Sequence, residues 1–476
     1  MLRALLRDSV IYSLATLLSR GLVILMVPLY TRLLTPADFG ALELITILVV
    51  LVNLIVPLEV GQGLARFWHD AADDEARARL ASTTQLFSLA MYTLFLIAGM
   101  TCSGQLSFWL LGSAEYSDAL QLGLCLAAAN GMFFSLQNQF RWLLQPKAYA
   151  MTSVLHGVLL AFCSVLLAHY MRSPLLGILA GQLLAACMAG LLAALRLRGW
   201  WRLDLHAEDL RRLLAFSWPL ALSGVATYAS LYAGRLVLNH LASLDEVAIY
   251  GLASRVAGIV VFLLVGVQGA LTPLIYAHHE KAETRRQLAT LFSGFAAAAF
   301  LACLMMALFA SDLVTVFGPT SYAEAAPLIG LLAPAALMTQ MYVFAPGIAL
   351  AKKNLWQLSI FLLSAATCIG LSYLLVPGMG VKGAAWATLL SAIVFLISWL
   401  LVSQRFYSIP FRWPQLTCAM LIYAGLLLID AAMPWKSWAG SLALACKLAL
   451  LVAMAASFFL LGLLRWQDLR RIRIKR

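Results

Sequence analysis

The sequence has few charged residues for its length. Only 11% of its 476 residues are charged, whereas 63% are hydrophobic. A soluble globular domain has about 25% charged residues. So little polar surface cannot cover a water-soluble protein of this size, so lipid must be the solvent. The composition therefore predicts an all-α integral membrane protein.

Motifs of several enzyme and binding-protein classes are also missing. The sequence has no G-x-x-x-x-G-K-[ST] phosphate-binding loop, which argues against a chain that hydrolyses ATP itself. Its eight cysteines form no C-x-x-C pair, and no histidine lies at a metal-ligand spacing from any of them. We therefore expect no metal and no cofactor, and we interpret the cysteines as small buried hydrophobic residues.

The apolar runs are long enough for about fourteen transmembrane helices, since one crossing needs about 20 apolar residues. The predicted spans are 9–31, 40–63, 84–111, 118–143, 150–170, 174–196, 214–240, 247–275, 289–311, 326–350, 356–376, 383–403, 415–432 and 438–464. The longest stretches outside them are 64–83 and 197–213, and the second contains an amphipathic turn that we expect at the membrane surface.

Basic residues are distributed unevenly between the two sides that these spans define. If both termini lie in the cytoplasm, 25 of the 33 Lys and Arg residues are cytoplasmic, four lie outside and four lie within spans. Lys and Arg mark the cytoplasmic side of membrane proteins, so this bias predicts an even number of helices and two cytoplasmic termini. The net charge of +12 is then explained by contact with anionic lipid headgroups, not with nucleic acid.

Self-comparison indicates an internal repeat. Four short matches occur in order, three at an offset of 206 and one at 208: 62–63 with 268–269, 144–147 with 350–353, 177–183 with 383–389, and 36–40 with 244–248. They predict a six-helix bundle at 1–205, a second at 206–410, and an extra helix pair with a basic tail at 411–476. Six is even, so the bundles have the same orientation and enclose a cleft, as in transporters that work by alternating access.

Three stretches carry a resemblance to a known family. They are Val27-Pro-Leu-Tyr-Thr-Arg-Leu-Leu-Thr-Pro-Ala-Asp-Phe-Gly40, Leu244-Asp-Glu-Val-Ala-Ile-Tyr-Gly-Leu-Ala253 and Gly380-Val-Lys-Gly-Ala-Ala385. With them, the chain resembles the Wzx-type flippases of O-antigen and exopolysaccharide, within the multidrug/oligosaccharidyl-lipid/polysaccharide (MOP) exporter superfamily. The resemblance covers about 9–405 of the chain.

The resemblance implies a function, a location and partners. It implies a transporter, not an enzyme, that moves a polyprenyl (undecaprenyl)-diphosphate-linked oligosaccharide from the cytoplasmic to the periplasmic leaflet for O-antigen or exopolysaccharide synthesis. The location implied is the bacterial inner membrane. The partners implied are the lipid-linked substrate, membrane lipids, a polysaccharide polymerase and other assembly proteins.

Three arginines inside predicted spans are the candidate substrate-binding residues: Arg20, Arg235 and Arg255. A charge in the membrane interior is costly and faces protein or a water-filled cavity. Guanidinium groups bind phosphate oxygens through paired N–H donors, so the three would make the cleft suitable for a diphosphate. Ser19-Arg20 also resembles the basic position on helix 1 of lipid-linked precursor flippases. The alternative is that each arginine pairs with a nearby carboxylate or backbone carbonyl and only holds helices together.

Glu43, Glu59 and Pro28 are candidates for gating or coupling. Either carboxylate could take up a proton or pair with an arginine as a gate, and a structural ion pair, such as Glu59 with Arg66, is the alternative. Pro28 removes a backbone hydrogen bond and permits helix 1 to bend during transport. The alternative is a static kink, which would place a proline at the same position in the sequence.

Two other functions have to be distinguished. A multidrug or cation-coupled extruder of the same superfamily would carry acidic residues in its cleft to bind cations. The charged residues predicted for this cleft are mainly basic. A polyprenyl-dependent polymerase or ligase would need catalytic residues on a sizeable outer loop, and the predicted outer loops are short turns.

Overall fold

A computed structural model describes residues 2–202, 204–264, 267, 268, 271, 275, 281–433 and 440–464. The side chains of residues 2–13, 15, 16, 20, 282 and 354 are also outside this description. The described residues form helices joined by turns, with no strand among them. The helices are α1 (Leu2–Leu33), α2 (Pro36–Ile55), α3 (Val60–Phe67), α4 (Asp74–Thr101), α5 (Ser103–Leu111), α6 (Ser117–Trp142), α7 (Pro146–Tyr170), α8 (Pro174–Arg196), α9 (Ala207–Leu241), α10 (Leu244–Ala257), α11 (Ala282–Leu308), α12 (Ala310–Phe317), α13 (Ala326–Met338), α14 (Gly347–Leu350), α15 (Asn354–Met379), α16 (Val381–Phe406), α17 (Trp413–Ala432) and α18 (Gly440–Leu460).

The predicted membrane architecture is confirmed. Thirteen helical segments of the described chain are long and apolar enough to cross a membrane. In addition, α1 contains the predicted span 9–31. The protein is therefore an all-α membrane protein of about fourteen spans, as expected where the bilayer favours backbone hydrogen bonds made within a helix.

Several helices begin earlier in the chain than hydropathy indicates. α4 begins at Asp74, ten residues before the predicted span, because the Asp73 side chain accepts a hydrogen bond from the Ala76 backbone N–H at 2.7 Å. The stretch 64–83 is thus mostly helical. The turn expected at the membrane surface is likewise the start of α9, at Ala207. Hydropathy misses such ends because a charged first turn, which in α4 is also capped, extends the helix beyond the apolar core of the membrane.

The described chain forms two compact units, Met1–Gly251 and Leu252–Arg476. In the first unit, α9 packs along α2 and α3. The Tyr228 hydroxyl donates to the Ile47 carbonyl at 2.9 Å, and a methyl group on Gly63 would lie 2.9 Å from the Leu213 carbonyl oxygen. The unit thus contains α9 together with the six predicted helices before it, and the repeat boundary at 205/206 stays a prediction.

One element of the predicted repeat occurs in both units with the same backbone geometry. The turn after α6 contains Leu144 and the turn after α14 contains Lys352, each with a positive φ (54° and 55°). The next residue donates to a carbonyl five positions back in both cases, Gln145 to Phe140 at 2.8 Å and Lys353 to Ile348 at 3.1 Å. This is the Schellman end of a helix. Leu144 and Lys352 are 208 positions apart in the chain. The sequence match between 144–147 and 350–353 has an offset of 206, so the equivalent turns are shifted by two residues relative to that match.

Close contact between α7 and α8 depends on glycine. A methyl group on Gly181 would lie 2.5 Å from the Cys163 carbonyl oxygen. A methyl group on Gly190 of the same helix would lie 3.7 Å from Phe133 Cβ, which is an ordinary van der Waals contact. Small residues at such positions let two membrane helices approach closely.

We expect Gly181→Ala to destabilise the protein by about 1–3 kcal/mol, because two backbones would have to separate. Gly190→Ala is the matched control and should be neutral or slightly stabilising, because alanine favours the helix. Thermal unfolding of the detergent-solubilised variants measures both. Equal stability of the two variants would show that the close approach at Gly181 is not needed.

Candidate functional site

Two of the predicted site residues form an ion pair. Arg235 of α9 and Glu43 of α2 approach to 3.4 Å between Nη1 and Oε2. The Glu43 side chain is only 2% exposed and that of Arg235 is 18% exposed. Since an unpaired charge is costly in a membrane protein, each stabilises the other in this position. For Arg235, the alternative to ligand binding was that it pairs with another group of the protein. The structure shows such a partner, the Glu43 carboxylate.

The surroundings of this pair come from three helices. On α10, Gly251 makes room for the acid, because a methyl group there would lie 2.7 Å from Glu43 Cγ. The rings of Tyr232 and Tyr250 have centroids 5.8 and 5.9 Å from the Arg235 guanidinium carbon. Aromatic rings at such distances attract a cation. The Arg235 guanidinium is therefore held by one carboxylate and two rings.

Arg20 lies within α1, and its side chain is outside the described residues. Its neighbours fix the helix: the Ser19 hydroxyl donates to the Ser153 carbonyl of α7 at 3.2 Å. Packing of Leu22 against Gly157 of α7 strengthens the same contact. This segment of α1 therefore lies against α7.

Arg255 belongs to the second compact unit, near the end of α10, where its side chain is partly buried. It makes interactions with the residues around it. The convergence of Arg20, Arg235 and Arg255 on one ligand stays a prediction.

Pro28 lies inside α1, which continues through it to Leu33. The Pro28 carbonyl accepts hydrogen bonds from the Arg32 guanidinium at 3.1 Å and from the Thr31 hydroxyl at 3.3 Å. Side chains thus stabilise the backbone next to the proline, as is common at proline positions in membrane helices. Bending at Pro28 during transport stays a prediction.

Glu59 lies in the turn between α2 and α3, outside the apolar helical segments. Both Leu58 and Glu59 have positive φ values, 49° and 54°. This conformation is uncommon for residues other than glycine and costs about 1–3 kcal/mol per residue. Burial raises the pKa of Glu59 above its ordinary value, and a hydrogen bond from Gln62 partly opposes this rise. The suggested pairing of Glu59 with Arg66 is wrong, because Arg66 pairs with Asp70 at 2.8 Å, one helical turn away.

The Glu59 turn forms part of a cavity of about 280 Å³ in the first unit, which we name the polar cavity. Its walls come from α2, α3, α4 and α6. Its polar lining residues are Asn53, Glu59, Gln62, Ser88, Tyr92, Ser135, Asn138 and Arg141. Sequence reasoning missed this cavity. The available signal was the amides and hydroxyls inside otherwise apolar spans, but nothing in the sequence indicates that they meet.

Gly131 on α6 allows the polar cavity to form. A side chain there would overlap the Tyr92 hydroxyl and the Asn53 side-chain oxygen. Because glycine has no side chain, the Tyr92 hydroxyl can donate to Asn53 Oδ1 at 2.8 Å. This bond joins α4 to α2 and uses only the oxygen of the Asn53 amide, so its two N–H donors are left for other partners.

Lys447 joins two helices through an ion pair. It lies on α18, where its ammonium is 3.2 Å from Asp312 Oδ2 of α12 and 4.8 Å from the Phe309 ring centroid. Its side chain is 12% exposed and that of Asp312 is 66% exposed. The ion pair joins α18 of the extra helix pair to α12 within the second compact unit.

Comparisons with known proteins give one family match and several similar structures. The model of a family described as "Polysaccharide biosynthesis protein" matches residues 5–279. No curated protein sequence matches. The lipid II flippase MurJ in an inward closed conformation is similar with a TM-score of 0.72 and 11% identity, over 94% of this chain and 99% of that one.

Two further similar structures are MOP-superfamily transporters. An inward-facing multidrug resistance MATE family transporter has a TM-score of 0.66 and 18% identity, over 84% of this chain and 94% of that one. A transporter from Pyrococcus furiosus, described as having reversed polarity in its binding pocket, has a TM-score of 0.60 and 16% identity, over 85% of this chain and 95% of that one. At these identities the similarity concerns the fold.

Proposed function

The chain belongs to the polysaccharide biosynthesis protein family and has the fold of MOP-superfamily transporters, and we propose that its substrate is a lipid-linked saccharide. We propose that it flips a polyprenyl (undecaprenyl)-diphosphate-linked oligosaccharide from the cytoplasmic to the periplasmic leaflet of the bacterial inner membrane. The product would serve O-antigen or exopolysaccharide synthesis. Both termini would lie in the cytoplasm, and a polysaccharide polymerase would receive the flipped substrate.

The ion pair between Arg235 and Glu43 is the observation that supports this proposal most directly. A cation-coupled extruder needs a carboxylate whose charge is available to a cation. In α2 the buried carboxylate, Glu43, already faces the Arg235 guanidinium. An anionic lipid head can compete with Glu43 for that guanidinium, whereas a cationic drug would be repelled by it.

The proposed mechanism uses residues of this chain in three ways. Arg20, Arg235 and Arg255 donate N–H groups to the diphosphate, and the sugars occupy the water-filled cleft while the polyprenyl tail stays in lipid. Arrival of the diphosphate at Arg235 weakens its pairing with Glu43, which loosens α2 from α9. Glu59 and Pro28 act in coupling and bending during the return step.

A reconstituted translocation assay tests the function. Proteoliposomes would contain the protein and an undecaprenyl-diphosphate oligosaccharide with a fluorescent sugar, and the sugar left in the inner leaflet would be measured by its protection from an added quencher. We expect the protein to accelerate exchange between leaflets and to leave the substrate chemically unchanged by mass spectrometry.

The same vesicles distinguish the two rival functions. Transport of a cationic dye with no movement of the lipid-linked sugar would identify an extruder. Lengthened glycan chains in the mass spectrum would identify a polymerase. Imposed proton, sodium and voltage gradients would then show which one drives the flippase.

A further inference from the structure

The polar cavity has a chemical composition that selects its ligand. It brings together amide groups (Asn53, Asn138), hydroxyl groups (Ser88, Ser135), one carboxylate (Glu59) and one guanidinium (Arg141). The lining contains one acidic and one basic side chain, so the two charges offset each other. Such a lining suits a diphosphate poorly, because only one guanidinium is present to bind its oxygens, and it offers a divalent metal only one carboxylate beside a cation.

The arrangement of α6 shows that this lining is one continuous face of a helix. Gly131, Ser135, Asn138 and Arg141 follow each other at spacings of four, three and three, which places them on the same side. Asn138 is exposed at this face, and its Oδ1 receives only a long contact of 3.5 Å from Arg141. Its N–H groups are therefore available to a ligand.

Apolar groups complete the cavity. Phe134 and Trp142, from the same face of α6, supply aromatic surface beside the hydrogen-bonding groups. A sugar ring has the matching surface, because hydroxyl groups surround its edge and C–H groups form its two faces. A volume of about 280 Å³ is near the lower end of small-molecule pockets, roughly 300–1,000 Å³, which suits one ring and not an oligosaccharide.

We propose that the polar cavity binds one neutral sugar residue of the transported glycan, with Asn53 and Asn138 donating to its hydroxyls and Glu59 accepting from them. This inference rests on the proposed function, and it adds a glycan subsite apart from the arginines proposed for the diphosphate. The strained turn at Leu58 and Glu59 positions the accepting carboxylate, and Gly131 provides the space beside Asn53.

The test uses the full-length protein in lipid nanodiscs and free N-acetylglucosamine and glucose as probes, detected by saturation-transfer difference NMR at millimolar concentration. Asn138→Leu keeps the side-chain size and removes the hydrogen bonds. We expect about tenfold weaker sugar binding in this variant. Asn130→Leu is the matched control, since Asn130 lies on α6 but does not line the cavity, and it should bind the sugar as the wild type does.

The outcomes separate this inference from the proposed function. Wild-type flipping with no sugar signal, or with a signal that Asn138→Leu leaves unchanged, overturns the glycan subsite alone. A sugar signal that depends on Asn138 without any flipping supports the subsite and overturns the function.

Glu59→Gln separates the subsite from a proton site. It retains an acceptor and should keep sugar binding within about threefold of wild type, whereas Glu59→Leu should lose about tenfold. If Asn138→Leu has no effect on sugar binding and Glu59→Gln changes only the pH dependence of flipping, Glu59 acts in coupling alone and the subsite is wrong.

Discussion

Arg255→Ala should slow flipping of the lipid-linked oligosaccharide by about 10- to 100-fold while the protein still inserts into the membrane. A hydrogen bond to a charged group contributes about 1.5–3 kcal/mol, which corresponds to that loss when the guanidinium is removed. Arg20→Ala should have an effect of the same size, because both residues are proposed to bind the diphosphate. The measurement is the initial rate of leaflet exchange in proteoliposomes with matched protein content.

Two further variants show whether the loss in Arg255→Ala comes from the guanidinium itself. Arg255→Lys keeps the charge but loses the paired N–H donors, so it should recover only part of the rate. Arg286→Ala removes an exposed basic residue from the start of α11 and should leave the rate close to wild type. Wild-type rates in both Arg20→Ala and Arg255→Ala would show that these arginines do not bind the substrate.

Removing one member of the Glu43–Arg235 pair should destabilise the protein more than removing both. A partner left alone in a buried site costs about 3–5 kcal/mol. Arg235→Gln should be the more harmful single change, because it removes the Arg235 guanidinium from beside the Glu43 carboxylate, which is only 2% exposed. The double variant Glu43→Gln/Arg235→Gln should recover most of the loss, as a double-mutant cycle of unfolding free energies in detergent would measure.

The exposed pair Arg66–Asp70 is the control for this cycle, with side chains 53% and 44% exposed. Its coupling energy should be below about 1 kcal/mol, since water screens a surface ion pair. A coupling energy for Glu43 and Arg235 as small as this control would mean that the pair does not join α2 to α9.

Most of the architecture follows from the sequence because the bilayer imposes a simple rule. Every backbone group in lipid must be bonded within the chain, so an apolar run of about 20 residues becomes a helix regardless of its partners. For this reason the closely spaced pair 150–170 and 174–196 was predicted to within a few residues, as α7 and α8 show. Helix starts such as Asp74 were predicted less well, because capping side chains determine them and hydropathy does not detect caps.

The candidate site is only partly encoded in such local patterns. The sequence is enough to identify five unusual charged residues, because a charge within or beside an apolar span is costly wherever it occurs: Arg20, Arg235, Arg255, Glu43 and Glu59. The packing of the helices, in contrast, brings Glu43 to Arg235, 192 positions further along the chain. It also places Asn53 and Asn138 in one cavity with Glu59. Which polar groups meet depends on how helices pack against each other, and glycine contacts and turn conformations determine that packing between residues far apart in sequence.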